Sequence, residues 1–310
     1  MTGCILYGTT GFFLSLIQNM PLTSIIFYRL FFGLCLIFIF LLFTKRLGDL
    51  KPGKRKGLLF LQGVFTAINM FFYFFCVKNT CFSVAILLEY TAPIYVMLAS
   101  PLILKEKAGK ESILALFLAI SGVFLVINPT GGLGDFKYSG NYFSGILSGL
   151  FAGIFLAIII MNIKILKRNY TELSIAFWGT AISCLLTIPF AFGTSFSALS
   201  LNLFALLAFG VVSVGFGGIL NIIGFANLKS QTGSLLSLIE PVAGVFIDLV
   251  FLGVALSRNV LAGCVLILTA ALIVSYFDAS KSAIKNMGFV DFIETIKAYW
   301  YLKINRKSYR

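Results

Sequence analysis

Apolar residues dominate the chain in ten long segments that short polar breaks separate. The segments have the length that an α-helix needs to cross the hydrocarbon core of a bilayer, roughly 17–25 residues. They are too long for strands, and polar and apolar positions do not alternate within them, so the pattern predicts helices. The predicted segments are about 2–18, 21–43, 57–77, 82–104, 112–128, 142–163, 172–191, 202–225, 232–252 and 259–277.

The composition agrees with a membrane protein. Of the 310 residues, 59% are hydrophobic and 11% are charged, and the mean hydropathy is +1.01. Soluble domains carry about 25% charged residues, so water is not the solvent for most of these side chains. The net charge of +13 does not indicate nucleic acid, because the basic residues lie in short breaks rather than on one face. We therefore predict an all-α integral membrane protein that lies in a lipid bilayer and has no nucleic-acid partner.

Basic residues are concentrated in every second break. If the N-terminus is cytoplasmic, 20 of the 24 lysines and arginines lie on the cytoplasmic side, three lie outside, and Arg29 lies within a segment. Loops rich in lysine and arginine stay in the cytoplasm, so the pattern predicts a multi-pass protein of the cell membrane with both termini cytoplasmic. An even number of crossings, ten, agrees with this orientation.

The second half of the chain repeats the order of predicted helices and breaks of the first half. At a shift of 148 residues, Pro93 falls on Pro241 and Asn79 falls on Asn227. Each half has five predicted helices, so the second half crosses in the opposite sense, which makes an inverted-topology repeat. The predicted units are repeat 1 at 2–128, repeat 2 at 142–277, and a basic amphipathic cytoplasmic tail at 278–310. A frayed, solvated tail is the alternative for the last unit.

Four charged residues lie inside predicted helices, although a charge at the bilayer centre costs roughly 2.5–3.5 kcal/mol. They are Arg29, Glu89, Glu240 and Asp248. At about 1.5 Å per residue, the first three come close enough in depth to meet, so we expect Arg29 to pair with Glu89 or Glu240. One interpretation is an ion pair that only fixes the register of the helices. The other is a polar anchor and proton site that lines a cavity.

Polar and small residues recur at helical spacing on three of the predicted helices, which carry Asn69, Asn221 and Glu240. These stripes predict either a shared water-accessible lumen or close packing of small residues between helices. Two prolines lie beside the buried carboxylates and predict bends at equivalent places in both halves. The candidate substrate-binding residues are Arg29, Asn69, Tyr73, Glu89, Tyr90, Trp178, Asn221 and Glu240, and the candidate hinges are Pro93 and Pro241.

Three stretches resemble the EamA-type members of the drug/metabolite transporter superfamily. They are FYRLFF at 27–32, NTCFSVAILLEYTAPIYVMLASPLILKEK at 79–107 and SLIEPVAGVFIDLVFLG at 237–253. The matched family features are an aromatic-Tyr-Arg on helix two, a proline in helix four with a following acid (Pro93 and Glu106), and Glu240-Pro241 on helix nine. The resemblance covers about residues 3–277. It implies ten helices in two inverted five-helix repeats, and the transport of metabolites, often amino acids and often outward.

The sequence therefore predicts a secondary transporter, an exporter or exchanger, that moves small organic metabolites such as amino acids by alternating access. A transporter of lipids or hydrophobic compounds on the same fold is the alternative. An intramembrane enzyme is disfavoured, because the chain has no histidine and its six cysteines are scattered through apolar segments. The absence of histidine and of a CxxC pair also predicts no metal site, and we expect no cofactor. The chain has no P-loop motif, so we expect transport to be driven by an ion gradient, by the substrate's own gradient or by exchange. The sequence leaves proton coupling and a homodimer open.

Overall fold

A computed structural model describes residues 1–51, 53–80, 82–106, 109–127, 141–253 and 258–286, without the side chains of 82–83, 126–127, 248, 252 and 278–286. All regular structure in these ranges is helical, which confirms the prediction of an all-α chain. The helices are α1 (Thr2–Gly8), α2 (Thr10–Leu16), α3 (Leu22–Phe43), α4 (Lys56–Asn79), α5 (Phe82–Glu89), α6 (Ala92–Ile103), α7 (Lys110–Ile127), α8 (Tyr142–Leu166), α9 (Glu172–Leu186), α10 (Phe196–Phe209), α11 (Gly218–Asn227), α12 (Ser230–Ser237), α13 (Ile239–Leu252) and α14 (Arg258–Asn286). Short 3₁₀ turns cover Leu47–Leu50 and Ile188–Gly193, and a π-helical segment, Gly210–Gly217, joins α10 to α11.

Every predicted segment contains helix. Seven helical stretches in the described part of the chain are long and apolar enough to cross a membrane, so the protein is a multi-pass membrane protein. They are Leu22–Phe43, Lys56–Asn79, Val84–Ile103, Tyr142–Leu166, Phe196–Asn227, Ser230–Phe251 and Arg258–Phe277. Thr2–Leu16 and Glu172–Leu186 are apolar but shorter. The total of ten crossings stays a prediction, and the tail at 287–310 lies outside the described residues.

The outer surface of the bundle is apolar and part of its interior is polar. Phe43, Phe196 and Phe204 are each at least 84% exposed, whereas Ser24 and Ser183 are fully buried. Exposed apolar surface on this scale is typical of side chains whose solvent is hydrocarbon. These two hydroxyls have partners inside the bundle: Ser24 Oγ donates to Phe190 O, and Ser183 Oγ lies 2.8 Å from a carbonyl on α4 and 2.8 Å from one on α9.

Two of the predicted segments are broken in the middle rather than bent. The helix stops after Glu89 and resumes at Ala92, and it stops after Ser237 and resumes at Ile239. A proline then lies in the first turn of the new helix in both cases, where its missing N–H leaves no helical hydrogen bond unmade. The helices α5 and α12 begin 148 residues apart and end 148 residues apart.

The breaks rich in lysine and arginine lie together at one end of the bundle, which we call the basic end. There Asn162 Nδ2 donates to Leu58 O at 3.1 Å, which ties the end of α8 to the start of α4. Trp178 Nε1 donates to Leu50 O at 3.1 Å, which ties α9 to the turn after α3. These contacts place the basic residues at 45–56 and 164–168 on the same side.

Other contacts hold the opposite end of the bundle. Asn202 Nδ2 donates to Gln18 O at 2.7 Å, and Gln18 N donates back to Asn202 Oδ1 at 3.0 Å, so the end of α2 is joined to α10. Tyr28 Oη donates to Ala191 O at 3.3 Å and joins the start of α3 to the 3₁₀ turn after α9. The long axis of the bundle therefore runs between these two ends.

Among the close helix crossings of the bundle, two of those that carry a glycine involve α3 and α9. A Cβ on Gly63 of α4 would lie 3.0 Å from Gly179 O of α9, and a Cβ on Gly210 would lie 2.6 Å from Arg29 O and 3.0 Å from Gly33 N of α3. Backbones come this near in membrane bundles only where small residues meet. The helices therefore form two tight pairs: α3 with the Gly210–Gly217 segment, and α4 with α9.

Candidate functional site

A cavity of about 190 Å³ lies in the middle of the bundle. It brings together seven of the eight candidate substrate-binding residues, which come from five helices and one helix break. They are Arg29 on α3, Asn69 and Tyr73 on α4, Glu89 on α5, Tyr90 in the break after it, Asn221 on α11 and Glu240 on α13. Both broken helices therefore present a carboxylate to the same space.

The cavity extends from the middle of the bundle towards the basic end. Its lining includes Ile163, Ile175 and Phe225, each within three residues of a helix terminus at that end. On α8, the lining residue farthest from the basic end is Leu156, 14 residues after the helix begins at Tyr142. This stretch of α8 corresponds to roughly 20 Å of packed helix between the cavity and the opposite end.

Glu89 is held by Asn69. Asn69 Nδ2 donates to Glu89 Oε1 at 3.1 Å and to Ala152 O of α8 at 2.9 Å. Because both donors of the amide group are used, the side chain of Asn69 is fixed between α5 and α8. A hydrogen bond to an ionised carboxylate is worth more than one to a neutral group, so Asn69 orients the Glu89 carboxylate in the cavity.

Glu240 lies in the first turn of α13, directly before Pro241. Its side-chain hydrogen-bond partner is Tyr90, from the break in the other half of the chain. An acidic residue is favoured at this position by the positive end of the helix dipole. The two carboxylates thus have separate partners, although both lie in one cavity.

Arg29 is buried with a relative exposure of 7%, and it lies on the α3 side of the cavity. Its guanidinium lies over the rings of Phe74 and Phe209, 5.7 and 5.2 Å from their centroids, and Nη2 is 3.7 Å from Met70 Sδ. Its Nε has no hydrogen-bond partner among the described residues. The guanidinium is therefore surrounded by apolar and aromatic groups on one side and faces the cavity on the other.

The expected ion pair of Arg29 with Glu89 or Glu240 is wrong in this structure. Arg29 forms no ion pair closer than 4.0 Å with a described residue, whereas Arg46–Asp49 and Lys167–Glu172 form such pairs near the basic end. The physical reason is competition: Asn69 and Tyr90 bind the carboxylates, while two rings and a thioether hold the guanidinium. The side chain of Asp248 lies outside the described part of the chain.

Trp178 does not line the cavity. Its indole is half-buried against the core between α4 and α8, and its N–H binds Leu50 O. The cavity is instead lined on α9 by Ile175, Ala176, Gly179 and Thr180.

Some lining residues were not among the candidates. Tyr7 and Thr10, at the start of the chain, both line the cavity, and their i, i+3 spacing in an otherwise apolar segment was the available signal. Gln62 and Thr66 continue the stripe of Asn69 along α4. Leu156, Ile159 and Ile222 make an apolar wall, which the sequence could not distinguish from lipid-facing surface.

Comparison with known proteins gives a family and a fold. The chain matches the EamA-like transporter family twice, over residues 1–128 and 143–276. It is 27% identical over 269 residues to an uncharacterized transporter of Archaeoglobus fulgidus, covering 87% of this chain and 92% of the relative. It is 24% identical over 197 residues to the pseudopaline exporter CntI of Pseudomonas aeruginosa, covering 63% of this chain and 66% of the relative. A solved crystal structure aligns with a TM-score of 0.76 at 19% identity, over 90% of this chain and 96% of the other, and shows the fold alone.

Proposed function

The chain belongs to the EamA-like transporter family of the drug/metabolite transporter superfamily and is a transporter rather than an enzyme, and from the cavity we propose that it moves small zwitterionic metabolites such as amino acids. It would do so as a secondary transporter by alternating access. The observation that carries this proposal is the buried guanidinium of Arg29, which faces the cavity without an ion pair among the described residues, opposite Glu89 and Glu240.

The charges in the cavity suit a ligand with one negative and one positive group. A buried cation without a partner costs several kcal/mol, and a substrate carboxylate bound by Arg29 would offset that cost. Arginine is well suited to this role, because its planar fork matches a carboxylate in two hydrogen bonds. Glu89, which Asn69 orients, would take the substrate's amino group. Tyr73 and Asn221 would supply further hydrogen bonds.

The count of charges also supports proton coupling. One guanidinium and two carboxylates carry a net charge of −1 when all are ionised, and a zwitterion does not change this sum. Closing such a cavity in lipid is easier when one carboxylate takes up a proton. We assign the proton to Glu240, because the proposed site needs an ionised Glu89, oriented by Asn69, to bind the substrate's amino group. Proton entry against substrate exit would drive export, the direction in the name of the relative CntI.

The inverted repeat with ten crossings and cytoplasmic termini remains part of the proposal, and helix contacts support it. If the two halves are equivalent, each helix contact in one half has a counterpart in the other. The contact of α4 with α9 has its counterpart in the contact of the Gly210–Gly217 segment with α3, and both are present. The contact of α5 and α6 with α8 has its counterpart in the contact of α13 with α1, which is also present. The broken helices with Pro93 and Pro241 then become equivalent hinges.

The alternative of a lipid transporter has less support. The cavity of about 190 Å³ is small beside typical drug-sized pockets of roughly 300–1,000 Å³. A lateral opening between α1 and α13 is blocked, since a Cβ on Gly8 would lie 2.9 Å from Glu240 O and 2.8 Å from Ala243 Cβ. An apolar groove on the outside of α13, lined by residues such as Val242 and Phe246, lies beyond that contact.

The proposal is tested with purified protein in two steps. A thermal-shift screen would compare zwitterionic amino acids with nucleosides, sugars, amines and organic acids, and hits would be tested by counterflow in proteoliposomes. We expect zwitterions to stabilise the protein and to accumulate, and analogues that lack the carboxylate or the amine to fail. If neither stabilisation nor counterflow occurs for any zwitterion, with or without a pH gradient, the proposed substrate class is wrong.

A further inference from the structure

A buried glutamine lies in the part of the cavity nearer the basic end. Gln62 is 3% exposed and lines the cavity. It precedes Asn69 on α4 by two helical turns, so the two amides lie on one face of the helix, roughly 10 Å apart along its axis. Thr66 lines the cavity between them. Gln62 and Thr66 therefore form a polar region of the cavity beyond the charges of Arg29 and Glu89.

The orientation of the Gln62 amide is fixed by Asn162 of α8. Asn162 Nδ2 donates to Leu58 O at 3.1 Å and to Gln62 Oε1 at 2.8 Å. A backbone carbonyl only accepts hydrogen bonds, so the Asn162 atom beside Leu58 O must be the nitrogen, and the Gln62 atom that it meets must be the oxygen. The amide of Gln62 cannot turn over without losing this bond. Its NH2 group is therefore the part left for the cavity.

The NH2 group of Gln62 carries two donors. Within the described residues, no hydrogen bond from Gln62 Nε2 is found. The wall at this end of the cavity is largely apolar and includes Ile163 and Ile175. A link between α4 and α8 requires only the oxygen of Gln62, so that link does not account for a donor group at the cavity. A ligand oxygen that accepts from Nε2 would offset the cost of burying the donors.

Thr66 supplies an acceptor one turn from this donor. Its Oγ1 donates to the backbone oxygen of Gln62 at 2.8 Å, so the hydroxyl proton is used and the lone pairs of Oγ1 remain to accept. A primary amide carries the complementary pair, since its oxygen accepts from Nε2 and its N–H donates to Oγ1. A carboxylate has no donor for Thr66, and it would be buried beyond the reach of Arg29, the one cation among the described residues that line the cavity. An apolar group would leave both partners without a bond.

We propose that Gln62 and Thr66 form a side-chain subsite that selects zwitterions whose side chain ends in a neutral amide or ureido group. This inference rests on the proposed function, in which Arg29 and Glu89 bind the carboxylate and the amino group. The side chain would then extend from Glu89 towards the basic end. A separation of roughly 10 Å between Gln62 and Asn69 along α4 favours long side chains, such as those of glutamine and citrulline. Asn162 is a positioning residue, because it acts through the amide of Gln62.

Binding measurements on the purified full-length protein test the subsite. The midpoint of the thermal shift against ligand concentration would be compared for four probes: glutamine, citrulline, norleucine and pentanamide. Norleucine is a zwitterion with an apolar side chain, and pentanamide has the amide without either charge. Gln62→Leu removes the donors, and Thr66→Val removes the acceptor and serves as the second variant if Gln62→Leu does not fold. Thr269→Val is the matched control, because Thr269 Oγ1 also donates to the carbonyl four residues earlier, at 2.7 Å, but lies exposed on α14.

We expect the wild-type protein to bind glutamine and citrulline about fivefold or more tightly than norleucine, since each hydrogen bond adds to the affinity. This preference should be lost in Gln62→Leu, be weakened in Thr66→Val and persist in Thr269→Val, while the midpoint for norleucine stays nearly constant.

The failure of the subsite and the failure of the substrate class give different results. If zwitterions bind without a preference for amide-ended side chains, or if the preference survives in both variants, the subsite is wrong and the proposed substrate class stands. If pentanamide binds through Gln62 while no zwitterion binds, the subsite stands and the substrate class fails. If none of the four probes binds, both are overturned.

Discussion

Asn69 binds the carboxylate of Glu89 with the same amide group that binds the backbone of α8. The two distances are 3.1 Å to Glu89 Oε1 and 2.9 Å to Ala152 O. The amide thus connects the broken segment α5–α6 to a continuous helix. It fixes the carboxylate at the point where the backbone leaves its helix, and a small rotation of α5 would move the charge relative to Arg29.

Replacing Asn69 by alanine should weaken substrate binding more than it weakens the fold. A hydrogen bond to a charged group contributes roughly 1.5–3 kcal/mol, so we expect the half-saturating concentration in counterflow to rise about tenfold or more. Ser148→Ala is the matched control, because Ser148 Oγ also links α8 to α4, through Phe72 O at 2.7 Å, but does not line the cavity. Equal effects of the two variants on the half-saturating concentration would contradict a positioning role for Asn69.

Arg29 should be required for transport but not for stability. Arg29→Met keeps an apolar shape beside Phe74 and Phe209 and removes a buried charge that has no ion pair among the described residues. Replacing a buried charge with an apolar side chain is often neutral or stabilising. We expect the melting temperature to stay level or rise by a few degrees, while counterflow is lost. A large fall in melting temperature would show that Arg29 serves the fold instead.

Helical periodicity predicted part of the cavity lining. Asn69 and Tyr73 are one turn apart on α4 and both line the cavity, as the stripe of polar residues indicated. The same reasoning did not exclude Trp178, because the neighbouring helices decide which face of α9 lines the cavity. The lining residues there are Ile175, Ala176, Gly179 and Thr180, and at about 100° per residue Trp178 points away from the middle of that face.

The partners of Arg29 could not be predicted from the sequence. Depth along the bilayer normal places Arg29 near Glu89, but depth does not give the direction in which a side chain points. The rings that hold the guanidinium come from positions 74 and 209, far from Arg29 in the chain, and one aromatic residue among 34 phenylalanines carries no signal of its own.

The breaks before Pro93 and Pro241 were likewise expected only as bends, because a proline in the first turn and a proline inside a helix look alike in sequence.

The close contact of α4 with α9 predicts a sharp contrast between two glycines. In Gly63→Ala the new Cβ would lie 2.4 Å from Ile182 Cβ and 3.0 Å from Gly179 O, so the helices must separate. We expect a loss of roughly 1–3 kcal/mol of stability, measured as a lower melting temperature. Gly224→Ala, in the interior of α11 with open space around the new Cβ, should stabilise the protein by up to about 1 kcal/mol. A stable Gly63→Ala variant would mean that this pair of helices is not rigid.

Substitutions of Glu240 and Glu89 should have different effects in two transport assays. Glu240→Gln keeps the shape of the side chain and a hydrogen-bond acceptor for Tyr90 but takes up no proton, so accumulation driven by a pH gradient should vanish while counterflow between labelled and unlabelled substrate persists. Glu89→Gln should abolish both, because the substrate's amino group loses its charged partner. Glu172→Gln changes a carboxylate that binds Lys167 and Asn227 at the basic end, away from the cavity, and both assays should stay at the wild-type level. The decisive outcome concerns Glu240→Gln: if the pH gradient still drives accumulation in that variant, the proton travels by another group, and if counterflow is lost as well, Glu240 belongs to the substrate site with Glu89.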